Sequence, residues 1–125
     1  MSQFFKKYKI LIVDDNPVFV KALRDLIIDV ASNKIKYIET AFTGLDGLNK
    51  MSEVLYDLIF MDIDLPDISG INLTRIIDRN NIAQRVIAVS FHKEIEYMEK
   101  MLGAGARHYI SKDCINADSL AAIFI

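Results

Sequence analysis

Three short apolar runs and a fourth, shorter segment, each closed by a polar or charged residue, constrain this chain most. Ile10-Leu11-Ile12-Val13 ends in Asp14-Asp15, Leu58-Ile59-Phe60-Met61 ends in Asp62, and Val86-Ile87-Ala88-Val89 ends in Ser90. The fourth, His108-Tyr109-Ile110-Ser111, ends in Lys112. Runs that are apolar throughout are expected of strands covered on both faces. Their alternation with amphipathic stretches is the pattern of a βα repeat and a parallel sheet. In such a sheet the carboxyl ends of the strands lie side by side, and ligand sites form there. Carboxylates, a hydroxyl and an ammonium converging at one edge read as a phosphate-and-metal site.

The pattern places strands over Lys9–Val13, Tyr37–Ala41, Asp57–Met61, Val86–Val89 and Tyr109-Ile110. Helices are expected over Pro17–Val30, Gly44–Glu53, Ile71–Arg79 and Glu94–Leu102, with a fifth from near Asn116 to Ile125. Asn16 is a good N-cap, and Pro17 suits the first helical position, where its missing N–H costs nothing. Val20, Leu23, Ile27 and Val30 share one face at helical spacing, as do Leu45, Leu48 and Met51. Gly103 or Gly105 is expected to end the fourth helix. On that helix Met98 and Leu102 are expected to face the core. Tyr97 and Met101 are left open between the core and a dimer or effector face. Phe4 and Phe5 are expected to pack loosely or to be disordered. The fold class is α/β, a flavodoxin-like doubly wound sheet of five parallel strands in the order 2-1-3-4-5 with five helices.

At 125 residues the chain has the length of a single domain, 1–125, and at 52% apolar it needs no disulfide or metal to fold. The lone Cys114 forms no internal bridge, which fits a reducing compartment. A net charge of −2 provides no basic field for nucleic acid. No run approaches the roughly 20 apolar residues of a membrane span. A cytoplasmic protein with no membrane contact is the expectation. The apolar end, Leu120-Ala121-Ala122-Ile123-Phe124-Ile125, closes a helix of only about two to three turns. It reads as a cut in a longer protein.

The strand order 2-1-3-4-5 makes the strands ending at Asp14-Asp15 and Asp62 neighbours. Three carboxylates in one place repel strongly unless a cation sits among them. Only oxygen ligands are on offer, so a hard ion such as Mg²⁺ is favoured. Asp62 is the expected nucleophile, since a carboxylate attacks a phosphoryl group to form an aspartyl phosphate. Lys112 and Ser90 offer a positive charge and a hydroxyl to phosphoryl oxygens.

With these residues in order, the chain resembles the receiver domain of two-component response regulators from Lys9 to about Ile125. The motifs are Asp14-Asp15, then Asp62 with Pro66 and Gly70, then Ser90, then Tyr109-Ile110-Ser111-Lys112. The resemblance implies that a sensor histidine kinase phosphorylates Asp62. It implies Mg²⁺ held directly by Asp15, Asp62 and the backbone carbonyl of Asp64, with Asp14 acting through water. It implies a switch in which Ser90 moves inward and Tyr109 changes rotamer, altering the face of helix four, strand five and helix five. Such a domain catalyses only its own phosphorylation and dephosphorylation and is no enzyme in the ordinary sense. Gly103-Ala104-Gly105-Ala106-Arg107 and Lys112-Asp113 further resemble receivers of LuxR-type regulators. That implies transcriptional output, through a C-terminal DNA-binding domain outside this chain. The face of helix four with Tyr97, Met98 and Met101, and Tyr109 nearby, is the place expected for a homodimer or effector contact.

Four residues depart from the usual receiver pattern. Phe91 stands where a small residue is usual, and a ring there has the size to shield Asp62. Asp113 replaces the usual proline after Lys112, so a trans bond is expected. Asp64 adds a carboxylate that tightens metal binding, repels phosphate or points to solvent. His92, two positions past Ser90, either tunes dephosphorylation or faces solvent. Rival readings are a Mg²⁺-dependent phosphatase of the haloacid dehalogenase type, from Asp62-Ile63-Asp64, and a phosphorylation-independent interaction module, from Phe91. An FMN carrier is weaker, because no Ser/Thr/Gly-rich loop follows the first strand.

Overall fold

The computed structural model describes residues 6–80 and 82–124. Five parallel strands form one sheet: β1 (Tyr8–Val13), β2 (Ile35–Ala41), β3 (Tyr56–Met61), β4 (Ala83–Ser90) and β5 (His108–Ser111), in the order β2-β1-β3-β4-β5. The helices are α1 (Pro17–Ala31), α2 (Gly44–Glu53), α3 (Gly70–Asn80), α4 (Ile95–Ala104) and α5 (Ala117–Ala121), the last continuing as a 3-10 turn over Ala122–Phe124. Strands run one to three residues beyond the apolar runs at several ends, because pairing with neighbours extends past the hydrophobic signal. The fifth helix is shorter than expected. Asn116 and Ser119 form a reciprocal capping box at its start.

Alternation along the strands splits the core in two. Leu11, Val13, Ile59 and Met61 meet Met51, Leu73, Ile77 and Met101 from α2, α3 and α4. Ile10, Ile12, Leu58, Phe60, Ile87 and Val89 meet Val20, Leu23 and Ile27 of α1 and Leu120, Ile123 and Phe124 at the C-terminal end. Both faces of the central strands are therefore dry at their middles, which is why Ile10–Val13, Leu58–Met61 and Val86–Val89 are unbroken apolar runs.

Registers set the site. Val13 pairs with Met61, and Asp62 N–H continues the ladder by donating to the Val13 carbonyl at 3.0 Å. Ser90 pairs with Ser111, and Lys112 N–H donates to the Ser90 carbonyl at 2.8 Å. β1, β3, β4 and β5 thus deliver their terminal polar residues to the same edge.

Some helix faces differ from expectation. Leu45 is exposed, and α2 instead buries Gly44, Gly47 and Met51 with Leu48 packed beside them. The glycines bring the helix against Val13 and Ile68, leaving no room for a larger inward face. Val30 is half-buried, and Ala31 takes the inward place on α1. On α4, Met98 and Leu102 are exposed while Met101 and Ala104 are buried. Ile95, Met98 and Leu102 make an apolar stripe at helical spacing, but it is the side carrying Met101 and Ala104 that is buried. Tyr97 packs on the core edge. Gly105, at φ +120°, ends α4 with Asp78 packed against it, so a side chain is excluded there. Phe4, Phe5 and Ile125 lie outside the described residues. Among the described residues no helix is long and apolar enough to cross a membrane.

One tie between elements bears on the site. Gly44 N–H and Leu45 N–H, at the start of α2, both donate to the Asp67 carboxylate at 2.8 Å. Asp67 therefore anchors the β3–α3 loop to α2, and these donors hold its carboxyl below the usual carboxylate range. Asp67→Ala should lower the melting temperature above the unfolded pKa of about 4. The difference from wild type should fade as pH falls through the lower folded value, where the carboxylate takes up its proton. Thermal melts of both proteins across acid pH check this, and a pH-independent difference would rule it out.

Candidate functional site

One carboxylate oxygen from each of Asp14, Asp15 and Asp62 lies within 4.8 Å of the others. Asp14 and Asp62 are buried, and Asp15 is exposed at the rim. Lys112 reaches into the cluster with its side chain only 4% exposed. Its Nζ lies 2.7 Å from Asp14 Oδ2 and 3.5 Å from Asp62 Oδ1. Asp14 is held on its other oxygen by Asn16 N–H at 2.9 Å. Asp14 Oδ2 has the ammonium nearby but no directed hydrogen bond, and it is shut away from solvent. A buried carboxylate oxygen in that condition has capacity for a further cation or a cation-bound water.

Burial pushes the Asp62 carboxyl up to about 6, and the Asp14 charge adds to this. Lys112 and the Ile63 N–H, which donates to Asp62 Oδ1 at 2.9 Å, oppose it only in part. The loop after Asp62 folds back tightly, with Leu65 N–H and Gly70 N–H both donating to the Ile63 carbonyl at 3.1 and 2.8 Å. Gly70 is placed so close that any Cβ there would overlap the Asp62 carbonyl oxygen. The spacing from Asp62 to Gly70 in the sequence thus has a steric cause.

Ser90 is fully buried beside the cluster. His92 joins it to Tyr109: His92 N–H donates to Ser90 Oγ at 3.0 Å, and Tyr109 O–H donates to the His92 carbonyl at 2.8 Å. The His92 ring lies 2.7 Å from Asp64 Oδ2 through Nε2 and stacks on Tyr97 at 3.9 Å between centroids and 10° between planes. His92 is therefore engaged through its backbone N–H, its carbonyl and its ring, and is not a free loop histidine. Asp64 turns outward onto His92, linking the β3–α3 and β4–α4 loops.

Phe91 is 58% exposed, and its ring centroid lies 5.2 Å from Lys112 Nζ. The ring thus stands against the lysine. Phe19 of α1, which the sequence pattern did not single out, faces the same ammonium at 4.4 Å. Its only sequence signal is its place in the first turn after the acidic pair. The Lys112–Asp113 bond is trans.

An acidic trio with a buried lysine and a serine at the carboxyl edge of a 2-1-3-4-5 sheet defines a phosphate-signalling class of α/β domain. The family model of the response regulator receiver domain matches residues 10–124, and the chain belongs to that family. It is similar to the signal transduction histidine-protein kinase BarA of Escherichia coli, 33% identical over 105 residues that make up 82% of this chain and 11% of BarA. It is similar to the transcriptional regulatory protein MctR of Rhizobium johnstonii, 30% identical over 118 residues, 94% of this chain and 54% of MctR. Among solved structures, a LuxR-family two-component response regulator from Aurantimonas sp. SI85-9A1 superposes with a TM-score of 0.81 at 26% identity, covering 95% of this chain and 83% of that one. The chain spans only about half the length of MctR and a small part of BarA.

Proposed function

We propose that Asp62 is the phosphoacceptor of this receiver domain and that a sensor histidine kinase is its donor. The observation that carries the reading is Asp62 buried at the end of the central strand, with the Lys112 ammonium at ion-pair distance from both it and Asp14. An Asp62 oxygen attacks phosphorus, the O–P bond forms, and the N–P bond of the phosphohistidine breaks with its electron pair returning to the imidazole. The acceptor must be ionised to do so, and at neutral pH a carboxyl near 6 is mostly ionised. Lys112 and the Ser90 hydroxyl hold the phosphoryl oxygens.

The donor set suits Mg²⁺: oxygen ligands only, with one buried carboxylate oxygen lacking a hydrogen bond. Asp15, Asp62 and the backbone carbonyl of Asp64 would hold the ion, and Asp14 would act through water. The ion would supply charge neutralisation for the transferring group. Lys112 meanwhile holds Asp62 by charge at the buried end of the site.

The switch runs through His92. Movement of Ser90 toward a phosphoryl group pulls the His92 backbone, and Tyr109 is bonded to that same residue. The response then reaches α4 and β5, with Phe91 and His92 setting how readily the site opens. Similarity to MctR and to a LuxR-family regulator supports transcriptional output through a domain outside this chain. A cytoplasmic location and a homodimer belong to the same proposal.

Intact mass after incubation with a small acyl phosphate and Mg²⁺ tests this. One added phosphoryl group is expected on the wild type, and none on Asp62→Asn or without Mg²⁺. No addition to folded, Mg²⁺-binding wild type would overturn the proposal in favour of a phosphorylation-independent module.

A further inference from the structure

We infer that Phe19 is a positioning residue for Lys112, holding the ammonium over its ring so that it stays between Asp14 and Asp62. The inference rests on the role proposed above for Lys112.

A lysine ammonium on four flexible methylenes is a mobile point charge. Here it is withdrawn from water, with its side chain 4% exposed, and its anionic partners lie to one side: Asp14 at 2.7 Å and Asp62 at 3.5 Å. Two rings also face the ammonium, Phe19 at 4.4 Å and Phe91 at 5.2 Å from Nζ to the centroids. Both distances fall within the range of cation–π attraction, which is strongest when the cation is desolvated. The two rings are not equivalent. Phe91 is 58% exposed, so water reaches it and weakens its hold. Phe19 is partly buried, closer to the ammonium, and carried by α1. Its backbone is set by Asn16, whose side chain accepts from Phe19 N–H at 3.2 Å. Asn16 N–H in turn donates to Asp14 at 2.9 Å. The ring and the carboxylate that flank Lys112 are therefore fixed by one short segment, Asp14 to Phe19. An aliphatic side chain in place of Phe19 would fill space but offer no negative ring face, and the ammonium would gain freedom to leave Asp62.

The test compares Phe19→Leu, Phe19→Tyr and wild type in the rate of phosphorylation by a small acyl phosphate at saturating Mg²⁺. Thermal melts confirm equal folding. Phe19→Leu should slow the reaction about tenfold, the size expected of a desolvated cation–π contact, and Phe19→Tyr should stay within about twofold of wild type. In parallel, NMR should show Lys112 ε-methylene protons shifted upfield by the ring in wild type and Phe19→Tyr, with that shift reduced in Phe19→Leu. A Phe19→Leu rate equal to wild type overturns the inference. So does a Phe19→Tyr variant as slow as Phe19→Leu, which would mean shape and not the ring face. If wild type and Asp62→Asn both take up no phosphoryl group, the phosphoacceptor reading itself has failed and the inference falls with it.

Discussion

Asp62→Asn should make the domain more stable at pH 7, in metal-free buffer, while removing its phosphoacceptor. The folded protein holds the Asp62 carboxyl near 6, against 3.8 for the free side chain. Between those values the native state keeps a proton that the unfolded state has released, so stability falls as pH rises from about 4 to 6. Above that window the full cost of a buried anion beside Asp14 is present. Asparagine has nearly the same shape and no charge. The gain should be on the order of 2 kcal/mol at pH 7, or a melting temperature higher by about 5–10 °C. It should shrink as pH falls through 6 toward 4, where wild-type Asp62 is protonated too. Added Mg²⁺ should narrow the gap by binding and stabilising the wild type. Thermal melts at pH 7 and pH 4.5, with chelator and with Mg²⁺, measure all three. A variant that melts at or below wild type at pH 7 would show that Lys112 already offsets the charge.

Gly70→Ala should do the opposite and cost both stability and activity. The added methyl would overlap the Asp62 carbonyl oxygen and stand 2.8 Å from the Asp62 carbonyl carbon and 2.9 Å from Ile63 Cα. These are backbone atoms, so no side-chain rotation relieves them. Either α3 withdraws or Asp62 is displaced. A loss of about 3 kcal/mol is expected, the upper end for forced overpacking, with a melting temperature lower by about 10 °C. Phosphorylation should slow even well below the melt, because the Asp62 backbone carries the acceptor. Destabilisation under about 1 kcal/mol would mean that the loop has slack that its hydrogen bonds to Ile63 do not suggest.

Contrasts among the elements show what local pattern conveys. The strands around Ile10–Val13 and Leu58–Met61 were plain in the sequence because burial on both faces demands unbroken apolar residues. Asn16-Pro17 marked the start of α1 because capping is a local hydrogen-bonding problem. Asp14, Asp62, Ser90 and Lys112 were legible because each terminates such a strand, and parallel pairing must bring those ends together. The inward faces of α2 and α4 were legible only in part. Leu48 and Met51 do face the core, but Leu45 and Met98 fit a helical stripe as well as Met51 and Met101 do, and only how each helix seats on the sheet selects between them.

The sequence by itself therefore determined the parallel α/β order and the convergence of carboxylates, hydroxyl and ammonium at one edge, because strand burial and chain direction are written in short-range pattern. It left the side chains of Asp64 and His92 without a fixed place. The tertiary structure placed them: Asp64 pairs with His92, and His92 joins Ser90 to Tyr109. It also decided that Phe19 and Phe91 flank Lys112, and that Asp67 fastens the site loop to α2. Each of these contacts except the one between Ser90 and His92, two positions apart, joins segments distant along the chain. Their geometry depends on how helices seat on the sheet, a packing result that no local spacing encodes.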